Sequence, residues 1–291
     1  MKSYLQEFFR EFEYLPEDAE ALCSAYEKLI ANQEASALWS RALEIYQNDL
    51  HCDYKALIAM ADEAADLTDV NEFTAELLLF ICLSKHLRAL YRERGIDQEL
   101  FYTSMLDLRY KLDECKLVYG IVGSFVAEWF KGFFDLTRFG IGRLQFEVIP
   151  FGASYEKDGN RLTPESPALN VHIPRSGEPL TPAACDDSFR RAKAFFADEV
   201  GAPCPFTCRS WLLNPDHENF LPKHTNTYQF FKRFDIYKSI VKKERGDLWR
   251  LFDTKELNCD KLPADSSLRR AYIEHLKKGG KMRSGHGVFF L

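Results

Sequence analysis

The spacing of apolar positions along this chain changes once, near Gly140. Before that point apolar residues recur at helical intervals. Met1-Lys-Ser-Tyr-Leu-Gln-Glu-Phe-Phe-Arg interleaves charged and apolar groups as an amphipathic helix does. Glu17, Asp18 and Glu20 follow Pro16, so a helix opens there with acids in its first turn, and Leu22, Tyr26 and Ile30 follow at four-residue steps. Leu38, Leu43, Ile45 and Tyr46 mark a further helix, and Leu57, Ile58, Met60 and Ala61 another. Residues 71–92 predict a longer, more apolar helix at the centre, and helices over 97–118 and 124–136 complete the set. No proline falls between Pro16 and Pro150. After Gly140 the period becomes two. Leu144, Phe146 and Val148 point one way, and Gln145 and Glu147 the other. Residues 155–162 read as a strand and turn, with Asp158-Gly159 at the bend. In residues 168–174, Leu169, Val171 and Ile173 alternate with Asn170 and His172. A helix over 182–200, strands at 206–213 and 228–238, a helix over 267–278 and a last strand at 287–291 follow. The class is α+β: a helical domain over 1–137, then a mixed α/β domain over 138–291 with one sheet and strand 168–174 central.

Composition narrows the picture. The chain has 291 residues, 46% of them hydrophobic, which is enough for a substantial core. No apolar run approaches the roughly 18 residues of a membrane span, and the charged N-terminus is unlike a signal peptide, so the expected location is cytoplasmic, without a membrane partner. The eight cysteines are scattered, with no CxxC. Cys204 and Cys208 form a CxxxC without a second ligand pair, so reduced thiols and no metal are expected. Charge divides unevenly: residues 1–137 sum to −12 and residues 138–291 to +6. The basic half is expected to meet an anion, either nucleic acid or a phosphorylated cofactor. Its basic residues form short separate clusters without the aromatic spacing of an RNA platform, which places nucleic acid third among the readings.

The segment richest in chemistry is Leu169-Asn-Val-His-Ile-Pro-Arg-Ser-Gly-Glu-Pro-Leu-Thr-Pro-Ala. Thr181 is a good N-cap and Pro182 a favoured first helical residue. A helix start offers N–H groups and partial positive charge to a phosphate. Arg175, Ser176 and Gly177 add a cation, a hydroxyl and close backbone approach. The plain alternative is a capped helix after a strand, with Asp186 and Asp187 already in its first turns.

His172-Ile-Pro-Arg-Ser-Gly-Glu-Pro-Leu-Thr-Pro, Cys208-Arg-Ser-Trp-Leu-Leu, Asn226 before Phe231-Lys-Arg-Phe, and the run from Leu262 to Gly279 together carry a resemblance. They resemble bacterial acyltransferase-domain-containing proteins, two-domain members of the general-control-type N-acetyltransferase (GNAT) superfamily. The resemblance covers nearly the whole chain and is most specific after Gly140. It implies a central strand splayed from its neighbour, with acyl-CoA, acetyl-CoA first, in the gap. It places the pyrophosphate at Ile173, Arg175, Ser176, Gly177 and Thr181. The superfamily's glycine-rich loop is reduced here to Gly177, and Pro179 lacks an N–H. By the same resemblance His172 is the candidate base, Glu147 the second candidate and Tyr228 the candidate acid. The alternative for His172 is a sheet histidine bonded to Asn170. His275, His217, His224, Trp211 and Trp249 are read as packing or loop residues, and Lys242-Lys243 and Lys277-Lys278 as solvated faces. Ser176 lacks a Gly-x-Ser-x-Gly elbow, which argues against a serine hydrolase. The implied activity is transfer of an acyl group to a small-molecule or peptide amine. The alternative is a GNAT-like binding protein without turnover.

Overall fold

The computed structural model describes residues 1–242 and 246–291. Lys243, half of one expected basic face, lies outside them. The chain divides into two compact units, Met1–Gly140 and Ile141–Leu291.

The first unit is helical: α1 (Lys2–Glu11), α2 (Pro16–Ala31), α3 (Gln33–Asn48), α4 (Tyr54–Asp66), α5 (Glu72–Glu93) and α6 (Gln98–Tyr119). Helix α1 buries Tyr4, Leu5, Phe8 and Phe9 on one side. Side-chain caps start four of the others. Asn32, Asp53, Asn71 and Asp97 each accept backbone N–H bonds that the first turn leaves open. Helix α5 is buried all round its middle, with Leu77, Leu78, Leu79, Phe80 and Ile81 fully enclosed, which places the expected central helix. The predicted helix over 124–136 is instead a 3₁₀ turn, Ala127–Phe130, followed by the short α7 (Lys131–Phe134). The chain leading into it is tied to the start of α5. Ser124 N–H donates to Phe73 O and Thr74 Oγ1 to Val122 O, while Gly123 lies so close to Phe73 that a Cβ would meet its backbone at 2.4 Å.

β1 (Arg138–Ile141) crosses the division. The second unit contains β2 (Leu144–Pro150), β3 (Tyr155–Lys157), β4 (Asn160–Leu162), β5 (Pro167–His172), α8 (Pro182–Phe195), β6 (Pro205–Ser210), α9 (His217–Phe220), α10 (Asn226–Lys232), β7 (Asp235–Val241), α11 (Leu248–Phe252), α12 (Ser267–Lys277) and β8 (Arg283–Phe290). The main sheet runs β1-β2-β5-β6-β8-β7, so the strand expected to be central lies inside it. The expectation of one sheet needs correction: β3 and β4 form a separate two-stranded hairpin, turning at Asp158 and Gly159, both at positive φ. The strand expected at 228–238 also needs correction. Thr225 Oγ1 accepts from Tyr228 N–H and caps α10, so the chain is helical through Lys232 and extends only at Asp235. Helix α8 packs on one face of the sheet. Phe189 meets Phe146 of β2, Phe206 of β6 and Phe289 of β8 at ring separations of 5.9, 5.0 and 4.9 Å. A second core gathers Leu251, Phe252, Leu262, Tyr272 and Leu276 around α11 and α12.

Candidate active site

The sheet forks at β5 and β6. These two strands are parallel, and their register holds for only two pairs, Leu169 with Phe206 and Asn170 with Thr207. Beyond Asn170, β5 continues beside β2, with His172 opposite Gln145. Beyond Thr207, β6 continues beside β8, with Arg209 opposite His286. The strands part where the sequence reads Val171-His172 on one side and Cys208-Arg209 on the other.

At the mouth of this fork three polar side chains meet on the face opposite α8. Glu147 stands directly across from Asn170 in the β2–β5 ladder. His172 Nε2 lies 2.7 Å from Glu147 Oε1. Asn170 Nδ2 donates to the same oxygen at 2.9 Å and lies 3.0 Å from His172 Nε2. The arrangement that uses the carboxylate best has Nε2 protonated, so that both the ring and the amide donate to Glu147. In this tautomer the lone pair of the imidazole is on Nδ1. The side chains of His172 and Glu147 are 20% and 15% exposed, so the pair is shielded yet reaches the surface. His172 therefore has the Asn170 contact expected of a sheet histidine and also the carboxylate partner of a poised base. The two catalytic candidates of the sheet, Glu147 and His172, stand together, and Asn170 is the third member.

Past β5 come Ile173 and the loop to α8. Arg143 fixes this loop by donating to Pro174 O at 3.0 Å and to Glu178 O at 3.1 Å. Ser176 Oγ accepts from Glu178 N–H, Gly177 adopts φ +79°, and Thr181 Oγ1 caps α8 by accepting from Ala184 N–H. Arg175 does not point into open solvent alone. Its guanidinium forms a two-pronged pair with Asp253, 2.7 Å from Nη2 to Oδ2, and Arg269 binds the same carboxylate from another direction. Asp253 ends α11 in the left-handed region at φ +57°. An incoming phosphate at Arg175 would compete with this carboxylate.

Tyr228 lies apart from the three-residue cluster in its bonding. Its hydroxyl donates to Glu218 Oε1 at 2.9 Å, and Lys232 bonds the other carboxylate oxygen. Burial and then the Glu218 bond push the Tyr228 hydroxyl above its ordinary pKa. His217 is a core histidine, enclosed and bonded to Tyr272, and burial pulls its pKa down to about 3. His275 stacks on Phe220 with ring centroids 4.3 Å apart. Among the described residues no cluster of three metal-ligating side chains occurs, and no helix is long and apolar enough to cross a membrane. Sequence reasoning named Asn170 only as a bland partner for His172, and it missed Arg143 and Asp253. Asn170 shares the polar side of its strand with His172, a signal that was available. Asp253 lies 78 residues from Arg175, and nothing local announces their pairing.

Comparison with known proteins gives a family for both halves of the chain. Residues 138–289 match the family described as GNAT-like C-terminal domain, and residues 3–136 match the N-acyltransferase N-terminal domain. No curated protein matches the chain. One similar solved structure is an acyltransferase mutant in complex with octanoyl-CoA, 25% identical with a TM-score of 0.75, covering 98% of this chain and 87% of that one. Another is an acyltransferase in complex with CoA and 10C-teicoplanin, 26% identical with the same TM-score and coverage. With its two halves matched by family models and a forked mixed sheet in the second, this chain belongs among the proteins with a GNAT-like C-terminal domain.

Proposed function

We propose that this protein is an acyl-CoA-dependent N-acyltransferase, and the observation that carries the reading is the Glu147–His172 pair at the mouth of the β5–β6 fork. An acyl thioester lying in the fork brings its carbonyl beside strand backbone that the ladder leaves open, where N–H groups can polarise it. The acceptor amine attacks that carbonyl, a C–N bond forms and the C–S bond breaks. His172 takes the proton the amine loses, and Glu147 stabilises the imidazolium that results. The coenzyme thiolate leaves and takes up a proton from solvent, and His172 returns its own proton to solvent. Tyr228, the candidate acid, would first have to turn its hydroxyl from the hydrogen bond it donates to Glu218.

Ile173, Arg175, Ser176, Gly177 and Thr181 are proposed to hold the pyrophosphate, with Arg175 exchanging Asp253 for phosphate. The similar structures that carry octanoyl-CoA or 10C-teicoplanin favour a medium-chain donor over the acetyl group, and an amine on a peptide-like scaffold as acceptor. The test is a thiol-release assay with octanoyl-CoA and acetyl-CoA against a panel of amines, together with calorimetric titration of CoA. Turnover of the parent protein that collapses in His172→Gln supports the reading. CoA binding without turnover across the panel makes the chain a GNAT-like binding protein instead.

A further inference from the structure

The half of the sheet facing His172 across the fork carries a row of cations. Arg209 on β6 stands opposite His286 on β8, and His286 stands opposite Lys238 on β7. Residues opposite one another in a ladder share a face, so these three side chains lie side by side across three strands. The face is that of the candidate base. Asn170 pairs with Thr207, His172 is two residues past the first and Arg209 two past the second. His172 and Arg209 thus occupy equivalent positions on the two sides of the fork. Lys242, two steps beyond Ile240 on the same side of β7, adds a fourth basic group and lies 3.8 Å from Asp247.

Lys242 has Asp247 beside it, but the other members of the row lack acidic neutralisation. Among the described residues no carboxylate pairs with Arg209 or Lys238, and the one bond Arg209 makes is Nη2 to Phe151 O at 3.3 Å. Burial, Arg209, Lys238 and Lys242 all lower the pKa of His286, in that order. Several other cations of this unit are matched: Arg175 and Arg269 by Asp253, Arg233 by Asp186, Lys232 by Glu218. Cations left together on a half-covered sheet face raise the local potential and attract an oxyanion.

We propose that Arg209, His286 and Lys238 form an acceptor subsite that binds a carboxylate of the amine substrate. The inference rests on the acyltransferase reading in one respect, that the acceptor is an amine delivered to His172. The donor's phosphates belong to the 173–181 loop beyond β5, on the other arm of the fork. A molecule that presents an amine to His172 lies over this face, and the cation row is the group on the opposite arm able to orient it. Substrates of this class are amino acids, peptides and peptide-like scaffolds with a free carboxylate a few bonds from the amine.

The experiment compares diglycine with glycylglycinamide as acceptors for the full chain, with octanoyl-CoA as donor, and follows the His286 ring by proton NMR as each is added. We expect kcat/KM to favour the carboxylate by about 10- to 100-fold. The preference falls to within about threefold in Arg209→Gln and in Lys238→Gln, while KM for octanoyl-CoA stays within about twofold. Diglycine should raise the His286 pKa, and glycylglycinamide should not. If neither amine turns over but diglycine still moves the His286 signal in the parent and not in Arg209→Gln, the anion subsite stands and the transferase reading falls. A rise in the KM for octanoyl-CoA in these variants, with the acceptor preference intact, assigns the row to the donor's phosphates and overturns the proposal. So does an unmoved His286 signal with equal use of both amines.

Discussion

Glu147 and His172 meet diagonally across two antiparallel strands: Glu147 is in register with Asn170, and His172 is in register with Gln145. The diagonal geometry lets the carboxylate lie over the ring edge while Asn170, directly across, donates to the same oxygen. Replacing His172 with Gln should lower kcat by roughly 10²–10⁴-fold and leave CoA affinity little changed. Glu147→Gln should lower kcat by about tenfold or more, with the KM for acyl-CoA held. Turnover, CoA affinity and melting temperature are measured together. A folded His172→Gln protein with full turnover removes the histidine from the chemistry and promotes Glu147.

Arg175 is neutralised by Asp253 before any phosphate arrives. Asp253→Asn removes the competing charge while asparagine tolerates the positive φ at that position. Calorimetric titration of CoA should therefore show tighter binding, by about two- to tenfold. Thermal unfolding should show a less stable protein, by about 2 kcal/mol, because Arg175 then loses its carboxylate partner while Arg269 keeps only Asp265. An unchanged affinity would detach Arg175 from the phosphate site.

His217 makes stability depend on acid. Burial holds its pKa at about 3, below the ordinary 6.5, so the unfolded chain binds the extra proton between those values. The histidine's contribution is complete above about pH 6.5 and is lost as pH falls toward 3. Urea unfolding of the parent at pH 6 and pH 4 should differ by about 2 kcal/mol more than the same comparison for His217→Gln. Equal pH slopes in the two proteins would show that the histidine is not held neutral.

Asp62 and Glu76 give the opposite dependence in the helical unit. Burial raises both, and Glu76, with the Asp62 charge as its next cause, reaches about 8. The folded chain keeps a proton that the unfolded chain loses between about pH 4.5 and 8, so this contribution is present at low pH and fades as pH rises. Glu76→Gln should flatten that decline, giving a higher melting temperature than the parent at pH 8.5. A lower melting temperature at that pH would refute the raised Glu76 pKa.

What could be read from sequence followed the local rules. The break from period 3.6 to period 2 located the helical run and the strands, because burial of one face leaves its period in the residues. The same alternation put Glu147 and His172 on the polar sides of their strands. Two segments misled it. Residues 228–238 carry apolar and aromatic groups at spacings that suit either element, and the cap at Thr225 decided for helix. Residues 124–136 have a helical composition, but the Ser124 N–H goes to Phe73 O of α5, and the regular helix forms only later in the segment. Neither the ladder register nor the Arg175–Asp253 pair has a local signature. Strand pairing and a contact across 78 residues are settled by the whole fold.

Phe189 has a consequence for the fork that none of the polar residues reveals. Its ring touches Phe146 on the arm that carries His172 and also Phe206 and Phe289 on the arm that carries Arg209. Beyond Asn170 and Thr207 the two arms have no ladder between them, and behind the sheet they share an aromatic cluster in which Phe146 and Phe206 also meet each other, with ring centroids 6.0 Å apart. Since the interior around it is close-packed, a change of side-chain volume at this buried position is felt on both arms at once. A smaller residue at 189 would loosen the packing behind both arms without touching a single group that handles a proton.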